Sequence, residues 1–150
     1  MKHLLLGDEA IAQGAIDAGL SGVYAYPGTP STEITEYIQL SEKRKALSAS
    51  LENGADCAYS LESKGKIFCQ WATNEKTAME GALGMSYMGK RALVCMKHVG
   101  MNVCADAFMN AAITGVNGGL VVVAADDPSM HSSQNEQDSR FYAKFAMIPC

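Results

Sequence analysis

Glu75 stands where an apolar stretch gives way to helix-forming residues, in "CQWATNEKTAME" at 69 to 80. A carboxylate at such a junction has two uses. It can sit in the first turn of a helix capped by Thr73 or Asn74, where the helix dipole favours its charge by about 0.3–1 kcal/mol. It can also be aimed at a bound group. Glu75, Met79, Ala82 and Ser86 recur on one helical stripe, with Ala78 and Leu83 beside it, so the acid shares a face whose other members favour burial. On spacing alone both uses stay open.

Other polar groups cluster after apolar runs. In "YPGTPST", 26 to 32, a glycine flanked by prolines and hydroxyls suits a tight turn presenting Thr29, Ser31 and Thr32 near a helix N-terminus, where an anion can bind. An ordinary capped turn explains the same residues, and no G-K-[ST] follows to make a nucleotide-phosphate loop. His98 in "KHVGMN" and His131 in "DDPSMHSSQNEQD" have Asp106, Asp126 and Asp127 nearby in sequence, but the spacing matches no metal-ligand motif, and no metal is expected here. Lys97-His98 and Gln134-Asn135-Glu136 suit hydrogen bonding to a polar ligand or to a facing domain. The nine methionines read as core packing or as an interface.

These residues need elements to hold them. "HLLL" reads as a strand, "DEAIAQGAIDAG" as a helix stopped by Gly19, "GVYAYPG" as a strand and "STEITEYIQL" as a capped helix. The segment from Lys43 to Lys66 mixes helix formers with Asn53-Gly54 and Lys64-Gly65, and its detail stays open. "IFCQWA", "RALVCM" and "GGLVVVAA" read as strands, and "NEKTAMEGALGMSYM", "NVCADAFMNAAITG" and "FYAKFA" as helices. Alternation with near-continuous apolar strands implies an α/β fold, a parallel sheet sandwiched between helices. Ligands of open parallel sheets bind outside the carboxyl ends of the strands, so the four polar exits at 26–32, 72–76, 97–102 and 126–138 should share one edge.

Composition narrows the function classes. The 150 residues fit one domain, and 48% apolar content supports a core. Twelve Lys and Arg against 16 Asp and Glu give a net charge of −4, which argues against a nucleic-acid partner. The longest apolar run, 118 to 125, is far short of a membrane span, and Asp8 and Glu9 interrupt any signal-peptide core, so the cytoplasm is the expected location. Cys57, Cys69, Cys95, Cys104 and Cys150 are odd in number and irregularly spaced, which fits reduced thiols better than a disulfide frame or a cluster site.

Taken together, "LLLGDEAIAQGAIDAG", "YPGTPSTEI", "ATNEKTAMEGALGMSYMGKRALVCMKHVGMNV" and "GGLVVVAADDPSMHSSQNEQDSRFYAKFAMIP" resemble the amino-terminal region of indolepyruvate:ferredoxin oxidoreductase alpha subunits, within the 2-oxoacid:ferredoxin oxidoreductases. The likeness covers nearly the whole chain and is weakest between about 43 and 66. It implies the pyrimidine-binding domain of a thiamine-diphosphate fold, spanning 1–150 as a fragment of a longer subunit. In that family the glutamate matching Glu75 contacts N1′ of the cofactor's aminopyrimidine. Sharing a proton there favours the imino form, whose exocyclic nitrogen can take the proton from the thiazolium C2. A dry setting would explain why this acid follows an apolar strand.

The resemblance further places Thr29 at substrate and thiazolium, while the position of the strand exits puts the loop from His98 to Asn102, with Gly100, beside the cofactor ring, and Asp126 to His131, with Asp127, near the substrate entrance or a partner domain. It implies oxidative decarboxylation of arylpyruvates to aryl-acetyl coenzyme A with ferredoxin as acceptor. Mg²⁺ and [4Fe-4S] clusters are expected only outside this chain, whose "GDEA" lacks the G-D-G…N pattern that holds the diphosphate. The partners implied are the remainder of the alpha subunit, a beta subunit, ferredoxin, coenzyme A and further copies of the chain. The competing readings are a non-catalytic pyrimidine-domain-like module for binding or assembly, and a stand-alone metal hydrolase.

Overall fold

The computed structural model describes residues 4–53 and 65–150. Helix α1 (Gly7–Asp17) is followed by strand β1 (Gly22–Ala25), helix α2 (Thr32–Asn53) and strand β2 (Phe68–Trp71). Then come α3 (Glu75–Tyr87), β3 (Ala92–Lys97), α4 (His98–Thr114), β4 (Leu120–Ala125), a short 3-10 turn (Pro128–Met130) and α5 (Arg140–Ala146). The strands form one parallel sheet in the order β2-β1-β3-β4.

Strand alternation divides the core between two helical layers. Val23, Ala25, Leu93 and Cys95 face α1 and α2, where Ala12, Ile34 and Ile38 meet them. Tyr24, Ala92, Val94 and Met96 face α3 and α4, against Ala78, Met79, Ala82, Met101, Cys104 and Phe108. Ile34, Ile38, Leu93 and Met96 are fully buried, each contributing roughly 1.5–3 kcal/mol by leaving water. The expected sandwich is therefore observed around β1 and β3. Strand β4 has the same apolar composition but, among the described residues, a neighbouring strand on one side only, and Val121 is 57% exposed.

Two expectations are corrected. "HLLL" forms no strand over Leu4–Leu6, which stand outside the sheet with Leu4 and Leu6 exposed; His3 lies outside the described residues. The Leu6 N–H is instead taken by the Glu9 carboxylate at 2.9 Å, so this stretch serves as the lead-in to α1. The supposed loop from His98 to Asn102 is the first turn of α4, entered directly from β3. In the open segment, α2 continues to Asn53, while 54–64, including Cys57, lies outside the described residues.

Close contact between α3 and the approach to β4 sets the spacing of that face. The Gly118 N–H donates to the Ser86 carbonyl at 2.8 Å, and the Ser86 hydroxyl donates back to the Gly118 carbonyl at 2.9 Å. A Cβ on Gly118 would fall onto the Lys90 carbonyl oxygen, which is backbone and has nowhere to go. Gly118→Ala is therefore expected to lower the unfolding free energy by about 1–3 kcal/mol in a denaturant titration. Gly84→Ala is the control: its Cβ meets nothing within 4 Å on the exposed side of α3, and alanine there should stabilise by up to about 1 kcal/mol.

Candidate functional site

All four strands run parallel, so their carboxyl ends share one edge as expected, and the polar exits gather there. The chain leaves β1 outward to β2 but returns past it to β3, so the connections from β1 and β3 pass to opposite faces. A crevice opens at such a reversal. The exits of β1 and β3 touch: a Cβ on Gly28 would lie 3.4 Å from Lys97 Cβ.

Glu75 is the first residue of α3 and is only 9% exposed. Capping is done by its neighbour, since Asn74 Oδ1 accepts from the Thr77 N–H at 2.9 Å and from the Thr77 hydroxyl at 3.2 Å. Among the described residues, none donates a hydrogen bond to the Glu75 carboxylate or pairs with it. Its side chain lies against the bare Cα of Gly100 in the first turn of α4. A Cβ on Gly100 would come within 2.5 Å of Glu75 Cγ and 2.8 Å of Oε1. Cys104, one turn beyond Gly100, has its thiol pushed up to about 12, by burial first and by the Glu75 charge second. That thiol is an inert packing group, and the carboxylate faces the Gly100–Cys104 side of α4.

In the β1 exit, the Ser31 hydroxyl donates to the Gly28 carbonyl at 2.8 Å, and Thr32 Oγ1 accepts from the Gly28 N–H at 3.0 Å. Of the three hydroxyls in this turn, only that of Thr29 makes no hydrogen bond among the described residues, and Thr29 is exposed, ahead of a cis Thr29–Pro30 peptide.

The segment after β4 folds back over the other side of α4. His98 is fully buried, and its Nε2–H donates to the Asn135 carbonyl at 3.0 Å, leaving Nδ1 without a partner among the described residues. Gln137 Nε2 donates to the His98 carbonyl at 2.9 Å and accepts from Asn102 Nδ2 through Oε1 at 3.1 Å. The Tyr142 hydroxyl donates to Asn102 Oδ1, and Lys97 Nζ donates to the Ser132 carbonyl. Two stretches that looked suited to a ligand or facing domain, Lys97-His98 and Gln134 to Glu136, are thus joined to each other. The sequence held no signal for this pairing across 35 to 39 positions.

Asp127 and His131 lie in the same segment. His131 is exposed. The Asp127 carboxylate accepts from the Ser133 hydroxyl, from the Ser132 N–H at 2.9 Å and from the His131 N–H at 3.3 Å. The Ser133 bond is the largest cause holding its carboxyl down to about 2, against an ordinary 3.8. A depressed carboxyl contributes order that is complete above about pH 4 and lost as pH falls through about 2. Hydrogen exchange at the Ser132 amide is expected to accelerate across that window, and Asp127→Asn to bring the acceleration to neutral pH.

The two other aspartates noted near the histidines are engaged as well. Asp106 pairs with Lys76 at 2.9 Å on the surface, and Asp126 accepts from the Ser139 hydroxyl at 2.6 Å. Among the described residues no three His, Cys, Asp or Glu side chains converge to hold a metal ion, and no helix is long and apolar enough to cross a membrane. Cys69, Cys95, Cys104 and Cys150 are free thiols.

The sheet and its helices have the fold of a 2-oxoacid:ferredoxin oxidoreductase. A structure of 2-oxoglutarate:ferredoxin oxidoreductase from Magnetococcus marinus, with 2-oxoglutarate, coenzyme A and succinyl-CoA bound, aligns with a TM-score of 0.56 over 95% of this chain and 25% of that one. At 19% identity this is a likeness of fold alone. In sequence the chain is 48% identical over 148 residues to the indolepyruvate oxidoreductase subunit IorA of Archaeoglobus fulgidus and 49% identical to that of Pyrococcus abyssi. The IorA subunit of Methanothermobacter marburgensis is 43% identical. The chain is thus a homologue of one segment of the IorA subunits: each match takes in 99% of its residues but only 20–21% of the relative's length. No family model matches it.

Proposed function

We propose that this chain supplies the cofactor-activating half-site of a thiamine-diphosphate-dependent indolepyruvate:ferredoxin oxidoreductase. The observation that carries this reading is Glu75, only 9% exposed and packed against the bare Cα of Gly100, with no hydrogen-bond donor to its carboxylate among the described residues. Its oxygens are not among the fully buried unpaired atoms, so they are open to a donor on something bound at the sheet edge. The residues fit a flat heteroaromatic ring carrying a proton at one nitrogen. When bound, thiamine diphosphate supplies the reactive carbon and the electron sink for decarboxylating a 2-oxo acid.

The chain's own residues do the rest. Glu75 holds a proton at N1′ of the aminopyrimidine, and Gly100, having no side chain, lets the carboxylate lie flat against α4. Met79 and Ala78, both buried on the same face of α3, exclude water that would compete for the carboxylate. Thr29, its hydroxyl unengaged, faces the substrate, with Asp127 and His131 at the rim. His98 and Asn102, whose side chains are held by the 135–142 region, form the wall behind the cofactor.

Indolepyruvate and related arylpyruvates are the proposed substrates, giving aryl-acetyl coenzyme A with ferredoxin as acceptor. The relatives' greater length leaves room for the diphosphate and Mg²⁺ site and the [4Fe-4S] clusters, and a beta subunit completes the proposed assembly. An assembly module is the second reading, favoured by the apolar groove of about 570 Å³ beside β4, lined by Phe108, Leu120, Val122, Ala143 and Ile148. Replacing Glu75 in the full-length subunit separates the two, since only the first reading makes turnover depend on it.

A further inference from the structure

We infer that the segment 126–139 is a positioning clasp for the carboxylate, with Gln137 as its principal residue. This rests on the reading of Glu75 given above. Helix α4 presents two sides in its first turns. Gly100 and Cys104, four positions apart, face Glu75 on α3; His98 and Asn102, also four apart, face the returning segment. The turn that carries Gly100 is therefore held between the carboxylate and the clasp.

Gln137 occupies the centre of the grip. It donates to the His98 carbonyl and accepts from Asn102, so one side chain spans the first turn of α4 from its first residue to its fifth. The segment is itself made stiff by Asp127, which gathers the N–H and hydroxyl groups of residues 131 to 133, and by Asp126, which holds Ser139. Lys97, at the end of β3, ties Ser132 to the sheet. None of these groups is assigned contact with cofactor or substrate by this arrangement, apart from the rim position of Asp127. They act through the turn they hold.

The test is a double-mutant cycle in the full-length subunit, read by calorimetric binding of thiamine diphosphate with Mg²⁺. Gln137→Ala is expected to raise Kd by about fivefold when Glu75 is present and by less than about twofold in the Glu75→Gln background, because its effect passes through the carboxylate. In the cofactor-free protein, Gln137→Ala should also speed hydrogen exchange at the amides of 102 to 105 and leave those of β1 and β3 unchanged. Asn102→Ala, an exposed position, provides the second variant and should behave alike.

Equal penalties in both backgrounds would overturn the inference, as would unchanged exchange in α4. So would loss of the folded state in both variants, which would make the segment a general fold element. If Glu75→Gln alone leaves both Kd and turnover unaltered, the half-site reading is what fails, while the exchange measurement still reports whether the clasp exists.

Discussion

Glu75→Gln in the full-length subunit is expected to reduce thiamine-diphosphate-dependent oxidation of indolepyruvate by about 10²–10⁴-fold, the range that a lost general acid–base group commands. Glutamine matches the shape of glutamate, so the contact with Gly100 and the stripe of Ala78, Met79 and Ala82 persists. What disappears is the acceptor that holds a proton at the ring nitrogen. The same change should leave the stability of the cofactor-free protein about unchanged. The carboxylate accepts no hydrogen bond from the described residues for the amide to lose, and the Asn74 cap remains in place. A fall in melting temperature together with near-normal turnover would reverse both expectations and return Glu75 to a structural role.

Gly100→Ala is expected to have the next largest effect, although it replaces no polar side chain. Its new Cβ would come within 2.5 Å of Glu75 Cγ and 3.0 Å of Cδ. These atoms belong to a flexible side chain, so the collision is relieved by swinging the carboxylate aside. Overpacking costs roughly 1–3 kcal/mol, and alanine's helical preference over glycine returns about 1 kcal/mol, so the net change in stability should be modest. Catalysis is less forgiving: a displacement of about 1 Å in a positioned group can cost on the order of 10²-fold. Steady-state turnover and a thermal melt on the same preparation would show the two effects separating. Parallel losses in both would mean that the glycine serves packing alone.

Much of this arrangement was legible because local chemistry and tertiary structure agree. Alternating apolar strands and capped helices specified the parallel sheet, and the stripe at Glu75, Ala78, Met79, Ala82, Leu83 and Ser86 coincides with the buried face of α3. Asn74, one of two candidates, proved to be the cap. The misreadings have distinct physical origins. "HLLL" has strand composition, but composition does not say whether a neighbour is available, and Glu9 claims the Leu6 N–H. "KHVGMN" carries a glycine that reads as a loop; in the fold it is a helical glycine kept bare for the carboxylate.

Strand β4 shows the limit of composition from the other side. "LVVVAA" has the residues of a strand covered on both faces, yet Val121 and the α5 residues Phe141 and Phe145 are exposed. The clasp was beyond reach for a different reason. Gln137, Asn102 and His98 are ordinary polar residues whose significance lies in contacts spanning 35 to 39 positions, and no local period encodes those.

The position of the Glu75 carboxylate relative to the aminopyrimidine of bound thiamine diphosphate tests the central claim most directly. A structure of the full-length subunit with the cofactor should place one Glu75 oxygen about 2.6–3.2 Å from N1′ of the ring, with Gly100 packed against the carboxylate's other face. A ring bound elsewhere, or a Glu75 side chain turned outward to water while the enzyme is active, would contradict it.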